Sequence, residues 1–513
     1  MLVILSGQYL ESELASEFGA IPASFLPVGN KRLYTYQLSQ LRTFYKDVFM
    51  TLPHDFALAD SDRRALKADD VLIYRTRVGC SIGEAVRQVL DELQLHGRVD
   101  ILYGDTLIRD ARLEGSDWLA VGDSDEFYRW HYEQLHGESD TAAWCGMFSF
   151  SDSRRLRSAL EVEPDFIRAV DVYGQAAAPL ERRRVEQWLD FGHVHTYFTS
   201  KLSATTQRHF NRLVIEDGVL TKSSDDTRKM EAEAAWFQQA PASLRHYLPN
   251  YLGASDDGSQ RYSLEYLPLA ALNELFVFGR LPAKVWSRIF DACNRYLEAA
   301  AAVPVPPSAA PGPGYARAAY VDKTCRRLDD FARQTGISIV EPWVFNGQPV
   351  PSLLSMAQEM GEAVLREPPV PAFIHGDLCF SNILFDFRGG RIKLIDPRGL
   401  DAEGRITPYG DMRYDIAKLS HSVIGLYDVI VAGHFDLQVD KQRIDFALLD
   451  GHTDEVREAF LRKQFLGRDC VAWGCYPAMV LLFLSMLPLH ADNPRRQQAL
   501  MANSLRLYLE TTA

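Results

Sequence analysis

Long runs of basic charge, paired cysteines and uninterrupted apolar segments are all scarce in this sequence of 513 residues. Its formal net charge is −13, and without a basic run it cannot neutralise a row of phosphates, so we expect no nucleic-acid binding. The seven cysteines form no CxxC pair, which favours reduced thiols and a cytoplasmic location. Residues 1–18 lack the basic and apolar regions of a signal peptide. Any anionic ligand must therefore be held locally, by metal ions or by a few Lys and Arg side chains.

One charge-free stretch has the length that a membrane-spanning helix needs. Val471–Leu489 contains no charged residue, but Gly474, Pro477 and Pro488 interrupt it. These interruptions favour a core helix over a membrane span, because a large domain also requires buried helices. The chain is too long for one hydrophobic core and should form two or three domains.

Short apolar runs alternate with amphipathic stretches up to about residue 200. The predicted strands are Leu2–Leu5, Val48–Leu52, Val71–Tyr74 and Asp100–Tyr103. Between the last two, Ser81–Leu93 places its apolar residues at helical spacing. This β-α alternation predicts an α/β domain whose sheet is parallel and covered by helices. Ligands of such sheets bind outside the carboxyl ends of the strands.

A different organisation begins near residue 203. Phe210–Lys222 predicts two short strands joined by the turn pair Asp217-Gly218. Asp226–Gln239 then predicts a helix, and Tyr262–Leu267 a further strand.

Two acidic residues and one Asn follow predicted strands further along the chain. Ala372–Asp386 runs from an apolar strand through a loop containing Asp377 and Asn382 into a second strand, and Asp396 follows a third. Phosphoryl transfer needs such a set: a carboxylate to orient the attacking hydroxyl and oxygen ligands for Mg²⁺. Asp377 and Asn382 have the separation of the Asp and Asn in the protein-kinase catalytic loop.

This pattern resembles the aminoglycoside phosphotransferase and choline kinase family, whose fold is the bilobal, α+β protein-kinase fold. The resemblance implies that Asp377 is the catalytic base and that Asn382 and Asp396 bind Mg²⁺. It also implies that His375 shapes the loop and that Asp415, in RYDIAKL, supports it from a helix start.

A kinase also needs a Lys for the ATP phosphates, a helical Glu to hold that Lys, and a hinge strand for adenine. Lys222 ends the predicted hairpin, and we prefer Glu233 to Glu231 as its partner because Glu-x-x-Trp is similar to the family's helix. The hinge residues would be Glu265, Tyr266 and Leu267. Residues that could contact the acceptor, or could merely pack, are Arg398, Tyr320, Lys323 and Arg327.

A second resemblance concerns the N-terminal part. Ile101–Ile108 is predicted as a buried strand ending in Gly104-Asp105, Cys145–Phe150 is a Gly-containing strand, and Trp188–Phe198 supplies Asp190. This order resembles the Rossmann-like nucleotidyltransferases that make nucleotide sugars and CDP-alcohols, which have a mixed, mostly parallel sheet. Phe25–Leu41 is similar to their substrate-side loop, and Cys80–Leu90 to their base-binding turn. The resemblance implies that Asp105 and Asp190 bind the metal and that Gly7, Ser81 and Gly83 contact the nucleotide.

The sequence departs from that family in its first loop, which has acids where basic residues are usual. Lys31, Arg32 or a residue distant in sequence would have to replace the missing phosphate-binding cations. Alternatively, this domain has lost transferase activity and only binds a ligand or scaffolds the chain.

The resulting hypothesis is a bifunctional enzyme with a transferase domain (1–202) and a kinase domain (203–513, N-lobe about 203–270, C-lobe about 271–513). The kinase would phosphorylate a small alcohol or sugar with ATP and Mg²⁺. The transferase would then couple that phosphate to a second NTP, CTP first and GTP or UTP as alternatives, for capsule or lipopolysaccharide precursors. The alternatives are a kinase with a non-catalytic N-terminal module, and an aminoglycoside phosphotransferase. A homo-oligomer is compatible with either.

Overall fold

The computed structural model describes all residues except 95, 110–113, 125–130, 135–140, 177, 206–210, 255–260, 313, 450–452 and 513. The chain forms two compact units. The first comprises Met1–Thr205 together with Phe278–Arg280, and the second comprises Thr206–Val277 together with Leu281–Ala513.

The first unit is built around one large sheet. The strands of this unit, in the large sheet and in two small ones, are β1 (Leu2–Leu5), β2 (Pro27–Val28), β3 (Lys31–Arg32), β4 (Val48–Pro53), β5 (Val71–Thr76), β6 (Val99–Tyr103), β7 (Thr106–Ile108), β8 (Trp118–Gly122), β9 (Tyr132–Gln134), β10 (Thr141–Phe150), β11 (Glu181–Arg184) and β12 (Trp188–Asp190). Its helices are α1 (Ser12–Phe18), α2 (Leu33–Leu41), α3 (Asp60–Ala68), α4 (Ile82–Glu92), α5 (Ser153–Val162), α6 (Phe166–Gln175) and α7 (Val194–Thr205).

The strand order of the large sheet is β11-β8-β10-β6-β1-β4-β5, with β9 paired to β10. The β5-β4-β1-β6 segment and the β11-β8 pair are parallel, whereas β10 is antiparallel to its neighbours. The predicted α/β class with a mixed, mostly parallel sheet is therefore confirmed. The purely parallel sheet suggested by the alternation of strands and helices is modified by β10, which enters the middle of the sheet in the opposite direction.

Local sequence explains the start of α4. Ser81 is its N-cap, and its hydroxyl accepts a hydrogen bond from the Glu84 N–H at 3.1 Å. The Glu84 carboxylate in turn accepts the Ser81 N–H at 2.8 Å, which completes a capping box. The apolar face of α4, including Val86 and Val89, belongs to the core of this unit.

The second unit begins with an antiparallel sheet and continues into a mainly helical part. Its strands are β13 (Asn211–Glu216), β14 (Val219–Ser224), β15 (Tyr251–Ala254), β16 (Arg261–Glu265), β17 (Ala270–Ala271), β18 (Trp343–Phe345), β19 (Gln348–Val350), β20 (Pro371–Phe373), β21 (Ile383–Asp386), β22 (Arg391–Leu394), β23 (Tyr409–Asp411), β24 (Phe435–Asp440) and β25 (Arg443–Leu448). Its helices are α8 (Thr227–Gln239), α9 (Leu272–Phe278), α10 (Ala283–Ala301), α11 (Lys323–Thr335), α12 (Leu353–Leu365), α13 (Met412–Val423), α14 (Tyr427–Val431), α15 (Asp454–Leu461), α16 (Cys475–Met486) and α17 (Pro494–Thr512).

The first sheet of this unit has the order β13-β14-β16-β15, and all its pairs are antiparallel. The predicted hairpin is β13-β14, and Asp217 and Gly218 at its turn both have positive φ, as its tight geometry requires. Phe210, the first residue of the predicted hairpin, lies outside the described residues. The predicted helix 226–239 is α8, capped by the Asp226 side chain, which accepts the Lys229 N–H.

The charge-free run Val471–Leu489 contains α16, and most of this helix is buried. It is therefore a core helix of the second unit, as its Gly and Pro interruptions suggested. Among the described residues, no helix is both long and apolar enough to cross a membrane.

Candidate functional site

The predicted Lys and Glu of the second unit form a buried ion pair. Lys222 on β14 and Glu233 on α8 are 2% and 1% exposed, and Lys222 Nζ lies 2.7 Å from Glu233 Oε2. The Tyr262 hydroxyl donates to the same oxygen at 2.6 Å. Lys222 Nζ also contacts Asp396 Oδ1 at 3.0 Å, and its pKa is raised because the two carboxylates outweigh the effect of burial. Glu231 is instead on the surface, paired with Arg228.

Asp396 is held in a conformation that directs it toward this pair. It follows β22 with φ of +56°, a left-handed conformation that Asp tolerates better than most residues. Its side chain is 46% exposed, so its second oxygen is accessible to a ligand. The Ile395 N–H donates to the Asn382 carbonyl at 3.0 Å, which places Asp396 beside the loop that carries Asp377 and Asn382.

The loop between β20 and β21 brings Asp377 and Asn382 together. Asn382 Nδ2 donates to the Asp377 carbonyl at 2.9 Å and to its carboxylate at 3.1 Å. The amide oxygen of Asn382 accepts a hydrogen bond from the Ser381 hydroxyl at 3.3 Å and has a second lone pair that could face a cation. Lys418 on α13 lies 2.8 Å from Asp377 Oδ1. Burial opposes ionisation of Asp377, but the charge and hydrogen bond of Lys418 outweigh it and lower the pKa to about 2.

Backbone hydrogen bonds fix the shape of this loop. The Asp415 carboxylate accepts the N–H groups of His375 and Gly376 at 2.7 and 2.8 Å. The imidazole of His375 accepts the Asp377 N–H at Nδ1 and donates from Nε2 to the Ile395 carbonyl at 2.9 Å. Burial lowers the pKa of His375 to about 4, so the neutral imidazole is the stable form. The resemblance implied that His375 shapes this loop and that Asp415 supports it, and both roles stay a prediction.

The oxygen donors present fit a magnesium ion. Asn382 and Asp396 supply hard oxygen ligands, and Mg²⁺ commonly takes only one or two protein ligands because substrate phosphates and water complete its shell. The described residues include no group of three or more His, Cys, Asp or Glu that could hold a metal ion.

The hinge residues are arranged differently from the predicted strand. Strand β16 ends at Glu265, so Tyr266 and Leu267 lie beyond it. The N–H of Glu265 donates to the Asn250 carbonyl at 2.9 Å, and that of Tyr266 to Gly218 at 2.8 Å. Of the three backbone donors, that of Leu267 is thus the one left for a nucleotide base.

Replacing Glu233 with the neutral Gln tests whether this residue positions the nucleotide or only stabilises the fold. We expect Glu233→Gln to lower kcat/KM for ATP by about a hundredfold, because Lys222 loses the carboxylate that fixes it and small misplacements have large kinetic effects. Glu231→Gln, two residues away on the surface, is the matched control and should behave as wild type. Steady-state kinetics with thermal unfolding would check this, and equal effects of both substitutions would contradict it.

Gly399 lies in the segment after Asp396 and touches α8. It has φ of +61°, and an added Cβ would approach the Ala232 carbonyl oxygen to 2.2 Å. Ala232 precedes Glu233, so this contact connects the Asp396 segment to the helix that holds Lys222.

We expect Gly399→Ala to reduce both stability and ATP turnover, because the methyl group must push α8 and its Glu233 away. Gly404→Ala is the control: it has the same kind of positive φ, of +80°, but nothing lies within 4 Å of its added Cβ. Gly404→Ala should cost only the left-handed penalty of about 1–2 kcal/mol. Thermal unfolding and the KM for ATP measure the difference, and indistinguishable variants would show that the contact is unimportant.

In the first unit, the two predicted metal-binding acids lie side by side. Asp190 on β12 pairs in register with Thr106, next to Asp105, and the Phe191 N–H donates to the Asp105 carbonyl at 2.8 Å. A Cβ added at Gly192 would lie 2.5 Å from Asp105 Oδ2 and 3.4 Å from Asp190 Oδ1. A side chain at position 192 would therefore have to displace the Asp105 carboxylate where both carboxylates converge.

Electrostatics in this pair favours a cation. Burial and then the charge of Asp190 raise the pKa of Asp105 to about 6. Asp190 Oδ2 also lies 2.9 Å from His193 Nδ1 and accepts a hydrogen bond from Thr196. Two oxygen donors that repel each other fit a divalent metal ion, which would relieve the repulsion.

The other predicted contacts of this unit have structural explanations. An added Cβ on Gly83 would lie 2.1 Å from the Pro164 carbonyl oxygen, and one on Gly7 2.3 Å from Thr76 Oγ1, so both glycines allow close packing. Ser81 caps α4. Nucleotide contact by these three residues stays a prediction.

Arg32 does not replace the missing phosphate-binding cations. It is 3% exposed, and its guanidinium contacts both oxygens of Asp62 at 3.2 and 3.1 Å. It also donates to the Phe25 carbonyl at 2.9 Å. Lys31 is exposed and stays available.

Sequence reasoning also missed two residues of α13: Lys418, which pairs with Asp377, and Tyr414, which interacts with Lys418. Both occur in the segment RYDIAKL, and Lys418 is one helical turn after Asp415. That spacing, which puts the two side chains on one face of the helix, was the signal by which Lys418 could have been found.

Among the residues predicted to contact the acceptor, Tyr320 is 2% exposed and donates to Asp411 at 3.3 Å, so it packs rather than lines a pocket.

Parts of this chain are similar to known proteins. No curated protein matches the chain. Among solved structures, a nucleoside-diphosphate-sugar pyrophosphorylase from Vibrio cholerae is 12% identical, with 39% of this chain and 99% of that chain covered and a TM-score of 0.33. A putative glucose-1-phosphate thymidylyltransferase from Bacillus anthracis is 16% identical, with 40% and 96% covered and a TM-score of 0.32. The UTP-bound UGPase from Acinetobacter baumannii is 11% identical, with 40% and 94% covered and a TM-score of 0.30.

These TM-scores are too low to assign a fold, so the fold of the first unit is assigned from its own sheet order. In the second unit, the model of the phosphotransferase enzyme family matches residues 205–425, a range that contains Lys222, Glu233, Asp377, Asn382 and Asp396. Residues 205–425 of this chain are thus similar to the phosphotransferase enzyme family.

Proposed function

We propose that the second unit is an ATP-dependent kinase for a small alcohol or sugar. The main observation that supports this proposal is that Lys222, Glu233 and Asp396 form one ion network. Asp396 also lies beside the loop of Asp377 and Asn382. The proposed domain bounds are 1–202 and 203–513, with the lobes divided near residue 270.

In this proposal each group has one task. Lys222 holds the α- and β-phosphates of ATP, and the hinge at Leu267 holds the adenine. Asp377 orients the acceptor hydroxyl and accepts its proton as the γ-phosphorus is attacked, while ADP leaves. Magnesium, held by Asn382 and Asp396, would neutralise the charge on the phosphates.

For the first unit we propose nucleotidyl transfer to the kinase product. A phosphate oxygen of that product attacks the α-phosphorus of CTP, GTP or UTP, and pyrophosphate leaves. Asp105 and Asp190 would hold the metal ion that offsets charge on the leaving group. The converging carboxylates around Gly192 support this role. Consecutive reactions on one chain would yield an activated building block, and surface polysaccharide is the proposed destination.

A second candidate is a kinase whose first unit binds a ligand without catalysis. The engagement of Arg32 by Asp62 favours it, because it removes one of the cations that could have bound the leaving phosphates.

The test is a two-stage screen on the full chain. ATP consumption is measured over small alcohols, amino alcohols and sugars, and each phosphorylated product is then incubated with four NTPs while pyrophosphate is measured. Phosphorylation followed by pyrophosphate release supports the bifunctional enzyme. Phosphorylation alone supports the second candidate, and no ATP consumption with any acceptor would overturn the kinase assignment.

A further inference from the structure

Four basic side chains of the second unit lie around the phenol of Tyr414, beside Asp377. We call Lys323, Arg327, Arg398 and Lys418 the basic cluster. We propose that it binds an oxyanion carried by the acceptor, so that the kinase substrate is a hydroxyl compound with its own carboxylate or phosphate group. This inference rests on the proposed kinase function and specifies its substrate class.

Two of these cations share one oxygen atom. Lys323 Nζ lies 3.0 Å from the Tyr414 hydroxyl, and Arg398 Nη1 lies 3.4 Å from it. Both also lie near the ring, at 4.8 Å from its centroid for Lys323 Nζ and 5.8 Å for Arg398 Cζ. Arg327 interacts electrostatically with Tyr414 and Arg398. The four positive charges therefore face the phenol and two carboxylates: Asp377 interacts with Lys418 and Arg398, and Asp330 interacts with Arg327.

The protein supplies too little negative charge to balance them. Lys418 pairs with Asp377, but in the described part of the chain no carboxylate forms an ion pair with Lys323, Arg327 or Arg398. Lys323 is only 5% exposed, and a buried cation that contacts a phenol rather than a carboxylate is costly. Burial, with added repulsion from Arg398, lowers its pKa to about 8. The charges of Lys323 and Arg398 overcome burial and lower the pKa of Tyr414 to about 7. An oxyanion would supply the missing counter-charge.

The position of the cluster suits an acceptor. The Arg398 N–H donates to the His375 carbonyl at 2.9 Å, so Arg398 flanks the catalytic loop on which Asp377 lies. Lys323 begins α11 immediately after a π-helical segment, Arg317–Asp322, and such segments occur frequently at functional sites. A bound oxyanion would place the hydroxyl of a small acceptor next to Asp377.

The same charges disfavour cationic acceptors. An aminoglycoside or a quaternary amino alcohol would be repelled by the unbalanced Lys and Arg side chains. The main rival occupant is therefore the triphosphate of ATP.

The test compares matched acceptors at saturating ATP and Mg²⁺ with the full chain. The set contains a neutral sugar, its uronic or aldonic acid, its phosphate ester and its amino derivative. We expect an anionic member to exceed the neutral one by at least about tenfold in kcat/KM, as loss of a charge-assisted hydrogen bond implies. The acid and the ester distinguish a carboxylate from a phosphate. Efficient use of neutral or amino acceptors alone would overturn the inference while leaving the kinase intact, whereas no turnover with any acceptor would remove the kinase itself.

Two variants test the cluster directly. We expect Arg327→Met and Lys323→Met each to raise the KM of the anionic acceptor at least about tenfold and to leave the KM of ATP unchanged. Arg326→Met, an exposed neighbour on α11, is the matched control. Because Lys323 is buried, unfolding temperatures are measured, and half-buried Arg327 keeps the test valid if Lys323→Met fails to fold. A raised KM for ATP, or an unchanged KM for the acceptor, would overturn the inference.

Discussion

Asp377→Asn is expected to lower the kcat of ATP-dependent phosphorylation by about 10²–10⁴-fold, the usual contribution of a general base. The amide is isosteric but cannot accept the acceptor proton, and it no longer neutralises Lys418, which lies 2.8 Å from the carboxylate. Acceptor-dependent ADP formation measures the change, and nucleotide-induced thermal stabilisation tests whether ATP still binds.

Asp445→Asn provides the comparison for Asp377→Asn. Asp445 is an exposed acid on β25, and its neutralisation should leave turnover unchanged. Full turnover in Asp377→Asn would contradict both the catalytic role of this residue and the kinase assignment.

Asp105→Asn is expected to abolish pyrophosphate release and to leave phosphorylation untouched. Metal-ion catalysis supplies several kcal/mol, so the loss should be at least about a hundredfold. The substitution also removes one of two mutually repelling carboxylates, and its unfolding temperature should not fall. A loss of activity without a loss of stability would identify a metal-binding role rather than a structural one.

The control for Asp105→Asn is Asp171→Asn, an exposed position on α6 of the same unit. Wild-type pyrophosphate release in Asp105→Asn would support the non-catalytic alternative for the first unit. Asp377→Asn should show the reverse pattern, with intact transfer to a phosphorylated acceptor added from outside.

Patterns local in sequence predicted most of the fold. The turn pair Asp217-Gly218 needs positive φ at both positions, and a cap such as Ser81 needs only the residues that follow it. The same holds for the sites: Asp377 and Asn382 share one loop, and Lys222 and Glu233 are separated by one turn between a strand and a helix. Short sequence separation leaves few alternative geometries for such pairs.

Contacts between segments that are distant in sequence could not be predicted from such local patterns. Arg32 is bound to Asp62, thirty residues later, and nothing near Arg32 in sequence indicates that partner. The basic cluster gathers Lys323 from α11, Arg398 from a loop and Lys418 from α13, whose approach depends on how helices pack. Strand β10 is a third example, because its antiparallel insertion between β8 and β6 is determined by the course of the chain and not by its apolar pattern.

The contact between Gly399 and Ala232 has a consequence for control of the enzyme. Many kinases are switched off when the helix that carries their Glu swings away from the Lys. Here the backbone after Asp396 lies against that helix so closely that a methyl group would not fit, and the same helix carries the Glu233 that pairs with Lys222. We therefore expect this packing to oppose an outward swing of the helix and to keep the Lys222–Glu233 pair together.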